Sequence, residues 1–382
     1  MPIPTVREDT MHTPLSDQNH HTPHPTPFHY STPPTDSPTP THLHNHGYAH
    51  LPLPTLRPTD IRLLSHNINT LHTTTQAELS ATFELYSEFD PTILGIQECN
   101  KNWTIFDKTE GPLRDTIQRR WPGAKLVTAH SKESTFTGPH QPGGVAQMTL
   151  KKLTGRVVSH GKDTLGRYAW QEILLNGQRN LIILTAYRIP QTSITGCGPE
   201  TSAMQQWRKL RAQGVELPQP RQQTLDDLVT FAKPYVSKGH EVLIMMDANS
   251  PITDDTMDAF MEHLNLYDLM ADYLPDTPPK TYQRGRQKID HILGTIGVLM
   301  AMTGAGIIPF GKGPKSDHAL LHADLSLETL CSLSAQSLHD PTHPSTRILW
   351  STHGYQSSGK VRRNRTEWIR DRQHCSTDSD PD

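Results

Sequence analysis

Acidic and amide side chains recur where short apolar runs of this 382-residue chain end. The residues in such positions are Asn67, Asn69, Glu98, Asp247 and Asn249, joined later in the chain by Asp290 and the triplet Ser316-Asp317-His318. Oxygen ligands of this kind suit Mg2+ or Mn2+, which bind carboxylates together with waters and phosphate oxygens. A histidine beside a carboxylate adds a general acid, a general base or a phosphate contact near neutral pH. The pattern predicts one divalent-metal site built from several strand ends.

Each of these residues, taken alone, also has an ordinary structural explanation. Glu98 is then a surface carboxylate, and Asn67 caps a turn. Asp247 and Asn249 are then part of the N-cap region of the helix that follows. The Ser-Asp-His triplet occurs by chance in many chains. Only the joint order of the residues favours a shared site.

The elements that must position these residues alternate between strands and helices over residues 59–325. We predict strands at 61–67, 92–98, 125–128, 145–150, 168–175, 179–187, 240–247, 288–294, 303–308 and 319–325. Helices are predicted at 76–89, 113–121, 204–213, 221–237 and 253–265. Asn176-Gly177 is a strong hairpin signal between two of the strands. Mixed strands with helices outside predict a two-sheet α/β sandwich, in which strand ends at one edge converge.

The segments on either side of this region lack the pattern. Residues 1–58 contain 13 Pro and nine His with almost no apolar pairs. They bury too little apolar surface to offset the entropy of ordering, so we predict a disordered tail. Residues 326–382 are predicted to be a poorly structured tail. Its basic stretch from Lys360 to Arg372 either attracts phosphate backbones or is simply solvated.

Composition excludes several classes of protein. The formal net charge of -3 excludes a uniformly basic nucleic-acid binder, so nucleic-acid binding would need a local patch. No apolar run approaches 18 residues and no secretory h-region is visible, so neither membrane association nor secretion is expected. The four cysteines contain no CxxC pair, which indicates a reducing, intracellular compartment. No small organic cofactor is expected, and an enzyme that reaches DNA would be nuclear at some stage.

As a set, the motifs resemble the endonuclease/exonuclease/phosphatase superfamily in order and spacing. The matching segments lie between about residues 60 and 325. They are Ser65-His-Asn67-Ile-Asn69, Gly95-Ile-Gln97-Glu98, Gly143-Gly144-Val145-Ala146, Thr185-Ala-Tyr187-Arg188, Met246-Asp247-Ala-Asn249, Lys288-Ile-Asp290-His291 and Ser316-Asp317-His318. The resemblance implies a four-layer α/β sandwich of two mixed sheets flanked by helices. It also implies hydrolysis of phosphodiesters or phosphomonoesters that depends on Mg2+, with Mn2+ as the alternative ion.

The resemblance implies a metal site and, beside it, a residue that faces the substrate. Glu98 looks like the main metal carboxylate, helped by Asn67, and Asp317 completes the carboxylates on that side. Nuclease members often carry an acidic residue where Asn69 stands, so this chain has one charge fewer there. Asn69 is instead expected to face the substrate.

Five further residues match positions with catalytic roles in that superfamily. Asp247 would position or deprotonate the attacking water, and Asn249 would hold a phosphate oxygen. Tyr187 would donate a hydrogen bond to the phosphate. His318 would contact the scissile phosphate, oriented by Asp290.

Three arginines are candidates for binding the substrate. Arg188 follows Tyr187 directly, and its guanidinium could clamp a phosphate; the alternative is an ordinary surface arginine. Arg284 and Arg286 would suit a polymeric phosphate backbone beside the site; the alternative is a solvated turn. DNA is the partner that these cations favour.

Within the superfamily, the chain looks most like the endonuclease domains of non-LTR-type retroelement polyproteins. The segments that carry this finer resemblance are Gly198-Pro-Glu-Thr-Ser202, Gln205-Gln206, Pro220-Arg221 and Met245-Met-Asp247-Ala-Asn249. It implies an enzyme that nicks DNA so that a reverse transcriptase can prime from the cut. The chain contains no Tyr-x-Asp-Asp polymerase box, so we expect an isolated or truncated module of retroelement origin.

Two other functions stay open from the sequence. The first is a phosphoesterase acting on a small molecule, a lipid headgroup or RNA, which would share the catalytic residues and differ in its loops. The second is a catalytically decayed relic that keeps the fold alone.

Overall fold

The structure, a computed structural model, describes residues 47–72, 75–103, 110–131, 138–177, 179–192 and 194–332. Its strands are β1 (Asp60–Asn67), β2 (Ile93–Gln97), β3 (Lys125–Ala129), β4 (Val145–Thr149), β5 (Val157–Lys162), β6 (Tyr168–Asn176), β7 (Arg179–Tyr187), β8 (Glu241–Asp247), β9 (Tyr267–Asp268), β10 (Asp290–Gly294), β11 (Met302–Ile308) and β12 (Leu320–Ser326). Its helices are α1 (Gln76–Glu88), α2 (Glu110–Arg120), α3 (Ser202–Ala212), α4 (Pro220–Ser237), α5 (Asp255–Leu264), α6 (Ile296–Ala301) and α7 (Leu327–Ser332). Short 3-10 helices lie at Lys151–Arg156, Ile194–Gly196 and Ala271–Tyr273.

The strands form two mixed six-stranded sheets. The order in the first sheet is β11-β12-β1-β2-β4-β3, and in the second it is β5-β6-β7-β8-β10-β9. A parallel pair lies inside each sheet, β1 with β2 and β7 with β8. Asn67 is therefore the register partner of Gln97, and Tyr187 is the partner of Asp247. The carboxyl ends of the parallel strands bring candidate site residues together at one edge of each sheet.

Both faces of each sheet are covered by apolar side chains, because alternate residues of a strand point to opposite faces. In β1, Ile61 packs between the two sheets, whereas Leu64 packs against Phe83 of α1. In β8, Ile244 packs outward against Leu228 of α4. The result is four layers, with helices outside and the two sheets inside. The four-layer α/β sandwich predicted from the sequence is confirmed.

The two sheets approach each other closely near the ends that carry the candidate site. A Cβ atom at Gly95 would lie 2.5 Å from Thr185 Oγ1 and 2.8 Å from Met245 Cε. The side chain of Gln97 also crosses between the sheets, where its Nε2 donates to Met245 O at 3.3 Å. A glycine inside a strand permits this approach of a second sheet.

The folded region extends past both boundaries predicted from the sequence. Ala49 N donates to Ile307 O at 2.8 Å, and Arg62 Nη2 donates to Pro54 O at 2.8 Å. Residues 47–58 therefore lie against the first sheet, although the sequence predicted a tail there. At the other end, α7 continues beyond residue 326 and buries Leu330. The other residues of the two predicted tails, 1–46 and 333–382, lie outside the described part of the chain, including the basic stretch.

Besides α7 and the 3-10 helices, the sequence did not predict the edge strand β5, the two-residue strand β9 or the six-residue helix α6. In β5 the break in the apolar pattern has a packing cause. A Cβ atom at Gly161 would lie 2.7 Å from Trp170 Nε1, so this glycine accommodates an indole ring. None of the helices in the described ranges is both long and apolar enough to cross a bilayer.

We expect Gly95→Ala to lower the free energy of unfolding by about 1–3 kcal/mol, because the added methyl group overlaps Thr185 and Met245 and forces the sheets to shift. Urea unfolding of the purified protein measures the change. Gly155→Ala is the matched control, since no atom lies within 4 Å of a Cβ there. Equal stability of the two variants would contradict the close approach of the sheets.

Candidate active site

Strands β1 and β8 end in the same local structure. Asn67 Oδ1 accepts a hydrogen bond from Asn69 N at 2.9 Å, and Asp247 Oδ1 accepts one from Asn249 N at 2.8 Å. Asn69 has φ +43° and Asn249 has φ +49°, a left-handed conformation that asparagine tolerates. These turns end the strands and leave the side chains of Asn67 and Asp247 in the space between the two sheets' edges.

The amide of Asn67 joins the two sheets at this edge. Its Nδ2 donates to Glu98 Oε2 at 2.9 Å and to Asp247 Oδ2 at 2.7 Å. One nitrogen therefore brings a carboxylate from the end of β2 beside a carboxylate from the end of β8. Glu98 has φ +50°, which is strained for a residue with a side chain. Burial raises the pKa of Glu98, and the hydrogen bond from Asn67 partly opposes that rise.

A second pair of carboxylates meets a histidine next to this amide. Asp247 and Asp290 are register partners on β8 and β10, and both are buried. Burial, followed by the charge of Asp290, raises the pKa of Asp247 to about 8. His318 Nδ1 donates to Asp290 Oδ2 at 3.0 Å. Burial lowers the pKa of His318, but Asp290 outweighs it and raises the value to about 9, so His318 is a cation at neutral pH.

Several contacts fix the direction of the His318 ring. The ring of Tyr282 lies against it, with the centroids 4.9 Å apart. Ser316 Oγ accepts from His318 N at 3.0 Å and donates to Asn67 O at 2.6 Å. Thr281 Oγ1 accepts from Asp290 N at 3.1 Å, which fixes the position of Asp290, the hydrogen-bond partner of the ring. The ring therefore presents its Nε2 toward the Asn67 amide, whose Nδ2 lies 3.5 Å away.

Tyr187 and Asn249 complete the inner part of the site. The hydroxyl of Tyr187 bonds to Glu98, and burial raises its pKa well above the ordinary value, so the phenol keeps its proton. Asn249 Nδ2 donates to Arg188 O at 2.8 Å and to Asp247 Oδ2 at 3.1 Å. Both amide hydrogens of Asn249 are therefore engaged, and one of them orients Asp247. The role predicted for Asn249, holding a phosphate oxygen, requires one of these hydrogens.

Asn69, Asp317 and Arg284 form the rim of the site. Asp317 Oδ1 accepts from Asn69 Nδ2 at 3.0 Å, and its Oδ2 lies 3.3 Å from Arg284 Nη2. The Arg284 side chain is 76% exposed and its guanidinium lies 5.6 Å from the centroid of the Tyr282 ring. A cation is thus available to solvent beside the carboxylates.

The structure places two of the candidate arginines away from this rim. Arg188 is 2% exposed, its Nε donates to Arg221 O at 3.1 Å, and its Nη2 donates to Thr256 Oγ1 at 2.9 Å. The burial of Arg188 contradicts the alternative of an ordinary surface arginine, and a phosphate clamp would need a guanidinium that here points toward the helices covering the second sheet. Arg286 is exposed and lines a separate cavity of about 200 Å³ beside Lys288.

Three residues that support the site were given no role in the sequence analysis. Arg221 Nη2 donates to Asn249 O at 2.8 Å. Thr281 holds the backbone of Asp290, as described above. His66 Nδ1 lies 2.8 Å from Tyr86 Oη, and burial lowers the pKa of His66 to about 4, so this histidine is neutral. Arg221 and His66 both lie inside segments that resemble the superfamily, and that position was the one sign in the sequence of a supporting role.

The donor set fits a divalent cation that prefers oxygen ligands. Glu98 and Asp247 offer carboxylates on the Asn67 amide, and Asp317 offers one beside Asn69. Burial and the charge of Asp290 raise the pKa of Asp247, and a bound cation would offset both effects. Asp247, Asp290 and His318 also offer ligand atoms that all lie within 4.8 Å of one another. In that second group His318 Nδ1 is already bonded to Asp290, so the carboxylates on the Asn67 side are better placed as ligands.

Comparison with known proteins adds evidence on the fold. No protein-family model matches the sequence, and no curated protein matches it. Among solved structures, the chain is similar to AP endonuclease LMAP from Leishmania major, with a TM-score of 0.51 and 12% identity over 70% of this chain and 88% of that one.

Two other solved structures match at lower TM-scores. The catalytic domain of Xenopus laevis APE2 gives a TM-score of 0.48 and 16% identity, over 70% of this chain and 92% of that one. The 3'-5' exonuclease NExo from Neisseria meningitidis gives a TM-score of 0.46 and 17% identity, over 70% of this chain and 100% of that one. At 12% identity, the likeness to LMAP concerns the fold alone. The chain has an α/β-sandwich fold of the endonuclease/exonuclease/phosphatase type.

Proposed function

We propose that this protein is a Mg2+-dependent phosphodiesterase of the endonuclease/exonuclease/phosphatase superfamily that nicks DNA. The observation that carries the proposal is the bridge from Asn67 Nδ2 to both Glu98 and Asp247, next to the His318–Asp290 ion pair. This arrangement supplies oxygen ligands and a cation at one edge of the sandwich. The fold shared with the AP endonuclease LMAP supports the same reaction class.

Hydrolysis of a phosphodiester needs charge neutralisation, an activated water and stabilisation of the leaving oxygen. Glu98 and Asp317 would hold Mg2+, with Asn67 orienting Glu98 through its amide nitrogen, and the ion when bound would neutralise charge on the phosphate and the leaving group. The phenol of Tyr187 keeps its proton, which it would donate in a hydrogen bond to a phosphate oxygen instead of to Glu98.

Asp247 and His318 would handle the protons of the reaction. Hydrogen bonds from Asn67 and Asn249 fix the orientation of the Asp247 carboxylate, and its raised pKa suits a base that accepts a proton from water near neutral pH. His318 has Nδ1 bonded to Asp290, so its Nε2 is the nitrogen that would contact the scissile phosphate. As a cation, it would stabilise charge that develops there.

The choice of DNA as substrate rests on the exposed cations near Asp317. Arg284 is exposed at the rim, and Lys312 and Lys315 are exposed in the loop that leads to Asp317. Clustered cations of this kind bind the repeating phosphates of a polymer better than a single phosphate group. The proposed retroelement origin rests on the segments around Gly198-Pro-Glu-Thr-Ser202 and Pro220-Arg221.

We expect the full chain to nick supercoiled plasmid in Mg2+ and to lose this activity in EDTA. Glu98→Gln removes a metal ligand and His318→Ala removes the phosphate contact, so each should slow nicking on the order of 100-fold or more. Agarose-gel assays of initial rates measure this, with Asp115→Asn on the exposed face of α2 as the control.

Nicking that persists in EDTA, or that survives in both variants, would contradict the proposal. Turnover of small phosphate esters without nicking would instead identify a phosphoesterase. Absence of both activities would identify a catalytically decayed copy of the fold.

We expect kcat/KM to fall at alkaline pH as His318 loses its proton near pH 9. Because Asp290 stabilises the cation, Asp290→Asn should lower the pKa of His318 and move this limb to lower pH by roughly 1–3 units. The pH profile of nicking under saturating Mg2+ measures the shift. Asp115→Asn should leave the limb in place, and an unmoved limb in Asp290→Asn would show that His318 does not control it.

A further inference from the structure

Arg221 lies in the first turn of α4 and reaches across to the ends of two strands. Its Nη2 donates to Asn249 O at 2.8 Å, just beyond β8, and its Nη1 donates to Ile189 O, just beyond β7. The planar guanidinium can serve both carbonyls because its donors form a fixed fork. Arg221 therefore ties together the two loops that follow Tyr187 and Asp247.

These bonds close a ring around the peptide of Arg188. Asn249 Nδ2 donates to Arg188 O at 2.8 Å, and Arg188 N donates to Asp247 O at 2.9 Å. Arg188 Nε in turn donates to Arg221 O at 3.1 Å. The buried arginine at position 188 thus belongs to the same unit as Arg221, although neither guanidinium is arranged to clamp a phosphate.

The ring ends on the carboxylate of Asp247. Asn249 has a left-handed backbone, so no sheet ladder continues through it. Its backbone nitrogen holds Asp247 Oδ1 at 2.8 Å and its side chain holds Oδ2 at 3.1 Å. A change in the position of Asn249 would therefore turn both oxygens of Asp247.

We infer that Arg221 is a positioning residue, which holds Asn249 and through it the Asp247 carboxylate in the orientation that hydrolysis requires. The inference rests on the proposed function, since the role of Asp247 belongs to that reaction. The guanidinium donates to two backbone carbonyls, which separates this role from that of a substrate clamp. Lysine cannot replace it, because an ammonium lacks the fork that spans the two loops.

The first test is the rate of plasmid nicking by the full chain in Mg2+. Arg221→Ala and Arg221→Lys should each lower kcat and kcat/KM together, on the order of 10- to 100-fold, because a small misplacement of a reacting group is costly. Arg156→Ala is the matched control. Arg156 Nη1 also donates to two carbonyls, Leu174 O at 3.1 Å and Leu175 O at 2.9 Å, but at the hairpin end of β6. It should leave the rate unchanged.

A double-mutant cycle separates positioning from a general loss of structure. If Arg221 acts by positioning Asp247, Arg221→Ala should add almost nothing to the loss already caused by Asp247→Ala, which removes both oxygens that Asn249 holds. If it merely stabilises the fold, it should lower the rate by the same factor in both backgrounds. Equal factors would overturn the inference.

A second readout does not need activity. In protein labelled at asparagine, the side-chain NH2 signals of Asn249 can be assigned by their loss in Asn249→Ala. They should shift in Arg221→Ala and stay in place in Arg156→Ala. Unmoved signals, or full activity in Arg221→Ala, would overturn the inference and leave the proposed function intact. If the Asn249 signals shift in Arg221→Ala but the wild-type protein is inactive, the positioning of Asn249 by Arg221 would be supported and the proposed function contradicted.

Discussion

Asp247 and Asp290 face each other as register partners on adjacent antiparallel strands in a buried part of the protein, and their repulsion governs the site around them. Two buried like charges require compensation. His318 supplies a positive charge on the Asp290 side, and the amides of Asn67 and Asn249 supply donors on the Asp247 side. With Glu98 added through Asn67, the carboxylates exceed the cations, which is the electrostatic condition for holding a divalent metal.

The sandwich holds these carboxylates close together by fixing the backbone on both sides of the site. Residues with side chains adopt left-handed φ values at Asn69, Glu98, Asn100 and Asn249, all around the strand ends that carry the site. Conformations of this kind cost of order 1 kcal/mol or more each and persist where surrounding contacts enforce them. Here those contacts include the Asx-type turns, the close approach of the sheets at Gly95 and the bonds from Arg221. Strain, packing and buried charge therefore coincide at one edge.

The sequence predicted the strand ends well because apolar runs and the polar residues that end them are local signals, as at Asn67 and Asp247. It predicted the wrong environment for Arg188, because the direction of that side chain depends on how α4 and α5 cover the second sheet. It also missed the contact of residues 47–58 with the first sheet. There Ala49 N donates to Ile307 O of β11, and such a pairing of distant segments leaves no local pattern.

The most direct test of a shared metal site is Mn2+ binding to the full chain, followed by EPR and competed with Mg2+. Convergence of the carboxylates around Asn67 predicts one class of site that Mg2+ displaces. We expect Glu98→Gln and Asn67→Ala each to weaken Mn2+ binding roughly 10- to 100-fold, as loss of a ligand or of its orienting partner does. Equal affinity in the wild type and in both variants would contradict a metal site at this edge of the sandwich.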